Sequence, residues 1–219
     1  MARLIIFGAG DIARLAHFYF RTDSPHHVAA FVVDPEYRTA DTFDGLPVVD
    51  TTLLARDFPP SEYAMFVALS YGRMNRTRAE KYRQMKEAGY TLVTYVSSRC
   101  TYLPEQPPGD NGFILEDNTI QPFVTIGNDV TLWSGNHVGH DSTIEDHCFI
   151  ASHVVISGHV RVRSYCFIGV NATLRNSIEI AEGSLIGAGT VIMKNTREKG
   201  VYLAGRAELF KKSSDQIEP

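Results

Sequence analysis

The 219-residue chain has little cysteine, a single tryptophan and no excess of charge of one sign. Its three cysteines (Cys100, Cys148 and Cys166) show no CxxC spacing, which disfavours a disulfide scaffold and a cysteine zinc site. Lys and Arg number 21 against 25 Asp and Glu, whereas nucleic-acid binders usually carry a strong basic excess. No apolar run approaches the ~20 residues of a membrane span, and the N-terminal run is too short for a signal peptide. We therefore expect a cytoplasmic protein that neither binds nucleic acid nor inserts into a membrane.

The first half of the chain alternates short apolar runs with helical patterns, which indicates a small parallel sheet of the α/β class. The pattern predicts four strands, at 4–7, 29–34, 63–69 and 91–96, and two helices, at 11–21 and 75–89. A stretch rich in proline and glycine follows and predicts a domain junction. The expected organisation is an α/β domain over 1–103, a linker over 104–112, a second domain over 113–205 and a polar tail over 206–219.

From Phe113 onward, every sixth residue is aliphatic. The fourteen positions are Ile114, Ile120, Ile126, Leu132, Val138, Ile144, Ile150, Ile156, Val162, Ile168, Leu174, Ile180, Ile186 and Ile192. For one chosen frame, the chance of such a run is on the order of 10⁻¹⁰. A period of six is typical of a hexapeptide β-helix, in which each hexad forms one short strand and one corner. We expect the aliphatic residue to point inward and the small residue four positions later to let the corner turn. A β-sandwich is the alternative, but its turns would fall at irregular spacing.

The first predicted strand ends in a glycine turn, Gly8-Ala9-Gly10, before the first helix. Backbone N–H groups at such a turn can bind a phosphate. Asp34, at the end of the second strand, could accept a hydrogen bond from a ribose hydroxyl or a base. The pattern G-x-G-x-x-A, which ends at Ala13, is a weak dinucleotide fingerprint, and NAD remains an alternative ligand. Glycines that serve only tight packing are another interpretation.

Five of the eight histidines lie between positions 137 and 159: His137, His140, His147, His153 and His159. The last three are six residues apart, so they fall on successive faces of the solenoid and point apart; we interpret them as outward polar positions. His140 follows Gly139, and histidine is the side-chain type most often used as a general base near neutral pH. Cys148 and Cys166 occupy the small position of their hexads, which indicates packing rather than catalysis.

Taken together, these segments resemble the NeuD/PglD-type sugar acyltransferases of bacterial surface-glycan synthesis, which are hexapeptide-repeat acetyltransferases. The resemblance covers roughly residues 3–205. It rests on Phe7-Gly8-Ala9-Gly10, the strand ending in Asp34, Asn75-Arg76, Tyr95-Val96, the fourteen hexads and Gly139-His140-Asp141-Ser142. It implies a Rossmann-like α/β domain followed by a left-handed parallel β-helix with three hexads per coil. It also implies a homotrimer that binds acetyl-CoA between neighbouring β-helices.

The same resemblance implies roles for individual residues. His140 would be the general base, and Asp141 would orient its imidazole. Gly158, Val170 and Ala188 would give backbone contacts to CoA, and the nucleotide of a nucleotide sugar would bind Gly8, Ala9, Gly10, Asp11 and Asp34. Candidates for the CoA phosphates, or for an ordinary solvated surface, are Lys194, Arg197, Lys199 and Arg206. No metal is expected, because the H-x4-H spacing of the zinc-binding γ-class carbonic anhydrases, another β-helix branch, is absent.

The resemblance therefore predicts an acetyl-CoA-dependent N-acetyltransferase that acts on the amino group of a nucleotide-linked deoxy-aminosugar. One alternative is O-acetylation of a hydroxyl, as in the sialic acid O-acetyltransferases. Another is a non-catalytic β-helix protein that binds a nucleotide sugar. Trp133, the one tryptophan, could stack on a sugar or on CoA, or could anchor an interface.

Overall fold

The computed structural model describes residues 3–205 together with 207, 209 and 211. The first part is a five-stranded sheet of order β3-β4-β2-β1-β5, in which only the β3–β4 pair is antiparallel. Its strands are β1 (Arg3–Phe7), β2 (His27–Val33), β3 (Thr42–Phe43), β4 (Leu46–Asp50) and β5 (Tyr63–Val67). The helices are α1 (Asp11–Thr22), α2 (Leu54–Asp57) and α3 (Arg76–Glu87), with 3₁₀ turns at Pro35–Tyr37 and Thr51–Leu53.

The neighbouring strands β1 and β5 are apolar on both faces because each face is covered by other elements. Three of the four predicted strands and both predicted helices are confirmed. The β3–β4 hairpin was not predicted, since Thr42, Pro47 and Asp50 interrupt any apolar pattern there. The strand predicted at 91–96 is confirmed in part, because it is divided between two sheets. Only Leu92 bridges the sheet, at Met65, and the chain then leaves to pair with the second part of the molecule.

The second part is a parallel β-helix with three faces. Face 1 has seven strands: β6 (Tyr95–Val96), β8 (Phe113–Ile114), β11 (Thr131–Leu132), β14 (Phe149–Ile150), β17 (Phe167–Ile168), β20 (Leu185–Ile186) and β22 (Val201–Tyr202). Face 2 has six: β7 (Thr101–Tyr102), β9 (Thr119–Ile120), β12 (His137–Val138), β15 (Val155–Ile156), β18 (Thr173–Leu174) and β21 (Val191–Ile192). Face 3 has four: β10 (Thr125–Ile126), β13 (Thr143–Ile144), β16 (Arg161–Val162) and β19 (Glu179–Ile180).

All fourteen aliphatic positions of the hexad frame are buried, as predicted. Each of them is the last residue of a strand. The small residues four positions later, such as Cys148 and Ala172, are buried too and fill the core. The sequence predicted that these small residues let the corner turn, but the turn itself is made by another residue. The residue just before each of them has a positive φ and turns the chain. These left-handed residues are Asn111, Asp117, Phe123, Asp129, Gly135, Asp141, His147, His153, His159, Tyr165, Asn171, Ser177, Gly183 and Gly189.

The left-handed residues form three columns, which we name by the faces they join. The 1–2 corner contains Asp117, Gly135, His153, Asn171 and Gly189; the 2–3 corner contains Phe123, Asp141, His159 and Ser177; the 3–1 corner contains Asn111, Asp129, His147, Tyr165 and Gly183. Asn, Asp and His are the non-glycine residues that adopt this conformation most readily. The interpretation of His147 as an outward polar residue is wrong: it is buried, and its Nδ1 lies 2.8 Å from Oδ2 of Asp129.

The β-helix begins earlier than the hexad frame indicates. Tyr95–Val96 pairs with Phe113–Ile114, so a full coil precedes the first predicted one. The predicted linker over 104–112 runs through this coil, where the Gly109 N–H donates to the Ile126 carbonyl over 3.0 Å. Pro108 occupies the position where the frame requires an aliphatic residue, and it hid the coil from the pattern. The domain boundaries themselves stay a prediction.

The α/β part packs on face 1 and on the 3–1 corner. Tyr71 contacts Phe149 and Phe167, the outward residues of two face-1 strands. Helix α3 reaches the corner through Arg78, whose Nε donates to Asp129 Oδ1 over 2.9 Å with both side chains buried. The 2–3 corner therefore lies on the opposite edge of the triangle from the α/β part. No helix among the described residues is long and apolar enough to cross a membrane.

Candidate active site

His140 and Asp141 lie together in the 2–3 corner. Val138 of β12 points into the core, and the chain then turns at Asp141, whose φ is 58°. This turn brings His140 Nδ1 within 2.7 Å of Asp141 Oδ2, although neighbouring residues of an extended strand would face opposite sides. The His140 backbone N–H donates to Gln121 Oε1 over 2.9 Å, which fixes the backbone that carries the ring. The side chain is 54% exposed and accessible to a substrate.

Two glycines make room for this corner. A Cβ at Gly139 would lie 2.5 Å from the backbone nitrogen of Gly158 in the next coil. A Cβ at Gly158 would in turn lie 2.9 Å from Nε2 of His140. Gly158, predicted as a CoA contact, thus lies against the catalytic candidate, and its missing side chain leaves room for the imidazole beside the next coil.

A second histidine shares the corner. His159 lies one coil further along the same column, with Nε2 4.0 Å from Asp141 Oδ2 and its ring 5.0 Å from the His140 ring, edge to face. Sequence reasoning grouped His159 with His147 and His153 as surface composition. The eighteen-residue spacing between Asp141 and His159 is the signal that could have found it, because partner strands are offset by one full coil.

The other two predicted CoA contacts lie elsewhere on the same chain. Val170 and Ala188 belong to turns of the 1–2 corner, and the Gly189 N–H links them by donating to the Val170 carbonyl over 2.8 Å. Face 2 separates this corner from His140. A single chain therefore does not bring Val170 and Ala188 to the catalytic candidate.

A cavity of about 360 Å³ opens at the carboxyl ends of β1 and β2. Four of the predicted nucleotide contacts, Gly8, Ala9, Gly10 and Asp34, line it. Gly8 has a φ of 121°, and a Cβ there would lie 2.8 Å from the Ala68 carbonyl, so this turn requires glycine. A Cβ at Gly10 would meet nothing within 4 Å, so Gly10 leaves the cavity open toward the first turn of α1. This is where the N–H groups of a helix can bind a phosphate.

Lys81 of α3 completes this cavity and was not predicted. Its Nζ lies 2.7 Å from an Asp34 carboxylate oxygen, and the two side chains are only 19% and 18% exposed. The pair places one cation and one anion on the cavity wall, beside the ring of Tyr37. Lys81 lies among many other charged residues of α3, so only the folded topology distinguishes it.

A second cavity, of about 390 Å³, shares Gly10 and Leu69 with the first. Asp11, Ser70, Tyr71 and Trp133 line it. The Asp11 side chain is 93% exposed and pairs weakly with Arg14 at 3.5 Å. Trp133 follows strand β11 of face 1 and precedes Gly135 of the 1–2 corner. The two cavities therefore adjoin, and Trp133 places the second one on the side of the 1–2 corner.

The remaining candidates do not gather at one site. Lys194 is exposed, Lys199 Nζ lies 3.0 Å from Glu198, and the Arg197 N–H donates to the Tyr202 hydroxyl. Arg206 and most of the predicted tail lie outside the described residues. Cys148 is buried in the solenoid, and this burial raises the pKa of its thiol well above the ordinary value, which disfavours a nucleophilic thiolate.

Known proteins are similar to this chain in sequence and in fold. A model of the bacterial transferase hexapeptide family, which describes six repeats, matches residues 123–158. The acyl-[acyl-carrier-protein]–UDP-N-acetylglucosamine O-acyltransferase of Stutzerimonas stutzeri is 30% identical over 94 residues, which are 40% of this chain and 36% of that protein. The match thus spans about a third of that curated relative.

Solved structures match almost the whole chain. PerB from Caulobacter crescentus, in complex with CoA and GDP-perosamine, superposes with a TM-score of 0.82 at 22% identity, over 93% of this chain and 95% of that one. The acetyltransferase domain of PglB from Neisseria gonorrhoeae gives 0.81 at 21% identity, over 93% and 97%. The chain has the left-handed β-helix fold of the hexapeptide-repeat acetyltransferases. WeeI from Acinetobacter baumannii shares the fold as well, with a TM-score of 0.75 at 19% identity over 94% and 95% of the chains. The matches to these structures thus extend over both the solenoid and the α/β part that precedes it.

Proposed function

We propose that this hexapeptide-repeat protein is an acetyl-CoA-dependent N-acetyltransferase. Its substrate would be the amino group of a nucleotide-linked deoxy-aminosugar used in bacterial surface-glycan synthesis. The observation that carries this proposal is the His140–Asp141 pair, with Nδ1 and Oδ2 2.7 Å apart on an exposed corner. PerB, which shares the fold, was solved with CoA and GDP-perosamine, and this supports the same class of substrates.

In the proposed reaction, His140 accepts a proton from the attacking amine. When Nδ1 carries a proton and donates it to Asp141, Nε2 keeps a lone pair for this purpose. The Asp141 carboxylate holds the ring in that tautomer and stabilises the imidazolium that forms. The nucleophile is the substrate amine, so the protein needs no covalent intermediate. The amine attacks the thioester carbonyl of acetyl-CoA and the C–S bond breaks. The His140 imidazolium returns its proton to the departing thiolate, so that CoA leaves as the thiol and the base is regenerated.

We assign the first cavity to the nucleotide. Its opening at the start of α1 suits a diphosphate, and Lys81 would add a cation beside it. Asp34 would accept from the ribose or the base. The second cavity would guide the sugar past Asp11 and Trp133 toward the 1–2 corner.

We further propose a homotrimer in which face 2 is the contact surface. The outward residues of its six strands are Thr101, Thr119, His137, Val155, Thr173 and Val191, and none of them is Asp, Glu, Lys or Arg. Face 3, in contrast, has Arg161 and Glu179 at the same positions. Val191 is 60% exposed in the single chain, and burying such a surface favours association.

A trimer of this kind would also complete the active site. The nucleotide cavity and the 1–2 corner lie on one side of face 2, and His140 lies on the other. With face 2 between copies, the 1–2 corner of one copy can approach the 2–3 corner of its neighbour. Acetyl-CoA would then bind between Val170 and Ala188 of one copy and Gly158 of the next. The three free cysteines are consistent with the cytoplasmic location that we propose for this reaction.

The proposal is tested by CoA release from acetyl-CoA with a panel of UDP-, dTDP- and GDP-linked amino sugars. We expect turnover with one sugar, and a His140→Ala variant should lose about 100-fold or more, as is usual for a general base. His27→Ala is the matched control, because His27 is exposed on β2, far from the corner. Full activity in His140→Ala would remove this residue from the mechanism.

Hydroxyl acceptors belong on the same panel. The curated relative that matches part of the β-helix is an O-acyltransferase of UDP-N-acetylglucosamine, and the same histidine could deprotonate a hydroxyl. CoA release with hydroxyl acceptors alone would favour O-acetylation over N-acetylation. If no acceptor leads to CoA release but the protein still binds a nucleotide sugar, the result would favour a non-catalytic binding protein.

A further inference from the structure

We propose that His140, Asp141 and His159 form a binding site for a divalent transition-metal ion such as Zn²⁺, and that the ion inhibits the protein. One ligand atom from each of the three side chains lies within 4.8 Å of the other two. Two imidazoles and one carboxylate are a donor set that zinc, cobalt and nickel prefer over magnesium and calcium. The metal would be an inhibitor rather than a cofactor of the proposed reaction.

The backbone holds these three ligands in place. The His159 N–H donates to the His140 carbonyl over 2.9 Å, so the two histidines are tied across adjacent coils. The Asp141 N–H donates to the Pro122 carbonyl of the preceding coil at 3.3 Å. Because this backbone is already fixed, little conformational entropy is lost from it when a metal binds.

The side chains have the freedom to close around an ion. His140, Asp141 and His159 are 54%, 43% and 58% exposed. Zinc binds imidazole nitrogen and carboxylate oxygen at about 2.0–2.2 Å. The ligand atoms must therefore move together by roughly an ångström, which exposed rotamers allow. Water can fill the remaining coordination positions.

A metal ion bound at this site would prevent His140 from acting as the general base. A metal that takes the lone pair of His140, or the carboxylate that orients it, leaves no acceptor for the proton of the substrate amine. This consequence rests on the proposed function, whereas metal binding itself does not.

Binding is measured by titrating the untagged full chain with ZnCl₂ in a calorimeter. We expect one saturable site per chain, at least tenfold weaker in His159→Asn and in His140→Asn. His153→Asn is the matched control, since His153 has the same left-handed conformation in the 1–2 corner. It should bind like the wild type. Titration with MgCl₂ should give no saturable binding.

A second readout uses activity. Where acetyl transfer is measurable, zinc should inhibit the wild type, and a chelator should restore the rate. Zinc binding without any acetyl transfer would support the metal site and count against the proposed function. No saturable zinc binding, or binding that His159→Asn leaves unchanged, would overturn the metal site while leaving the proposed function intact.

Discussion

Gly158 has no side chain, and the imidazole of His140 lies in the space that a side chain would fill. A Cβ at this position would be 2.9 Å from Nε2 and 3.0 Å from Cε1. Real contacts of a Cβ are longer, so the ring would have to move. The atom displaced is the one that accepts the proton in the proposed reaction, which makes a glycine an essential part of a site that is defined by a histidine.

We therefore expect Gly158→Ala to reduce kcat more than it affects folding. The displaced ring loses its alignment with the substrate, and misplacement by about an ångström can cost on the order of 100-fold in rate. Gly72→Ala is the matched control, because its Cβ would meet only Thr77 Oγ1, at 3.7 Å. The measurement is kcat with thermal unfolding alongside. An active Gly158→Ala protein with wild-type kcat would show that the ring position is not critical.

At the scale of elements, helix α3 attaches the α/β part to the solenoid. Arg78 and Asp129 form a buried ion pair, and Arg78 Nη2 also donates to the Asp129 carbonyl over 3.0 Å. Asn75, next to the start of α3, donates to the Cys166 carbonyl of a later coil over 3.1 Å. A buried charge that loses its partner is costly, so this pair fixes the position of α3 on the 3–1 corner.

Removing one partner of this ion pair should lower the stability of the whole molecule. We expect Arg78→Met to lower the free energy of unfolding by about 3–5 kcal/mol, because the buried Asp129 would lose its guanidinium partner and keep only the contacts with His147 and Asn111. Arg83→Met, on the exposed side of the same helix, should cost under about 1 kcal/mol. Urea unfolding at one fixed protein concentration measures both. Equal losses in the two variants would contradict the role of the pair.

The sequence indicated much of this architecture and missed parts of it for physical reasons. A strict six-residue period predicts a solenoid, since each coil repeats the same inward position. The coil that begins at Tyr95 was missed because Tyr102 and Pro108 replace its aliphatic residues. His140 was identified by its neighbours in the chain, whereas Lys81 and His159 reach their sites through contacts that depend on the folded topology. No local pattern contains that information.

At the scale of the whole molecule, the two sites that the proposed reaction must bring together lie apart on one chain. The nucleotide cavity lies in the α/β part on face 1, and His140 lies on the opposite edge of the triangle. In the proposed reaction, a substrate bound in the cavity would reach His140 only when two copies stand side by side.

Mixed oligomers test this arrangement. His140→Ala and Lys81→Glu should each be inactive alone, since one lacks the base and the other repels the nucleotide phosphates. Co-expressed with different tags and purified as mixed trimers, they should regain activity at about a third of the sites if cavity and base come from different chains. Mixed trimers as inactive as their parents would place both halves of the site on one chain. Trimers of His140→Ala with the double variant are the negative control.

The left-handed corners have a consequence for how such proteins can change. Every sixth residue must tolerate a positive φ, so the fold admits Asn, Asp, Gly and His there for conformational reasons alone. Successive coils stack about 4.8 Å apart, so residues in one column are always neighbours. Asp129 below His147 and Asp141 below His159 are two pairs of this kind. A new pair of interacting groups thus needs one or two substitutions and no change of backbone, which lets chemistry arise at any corner while the core stays the same.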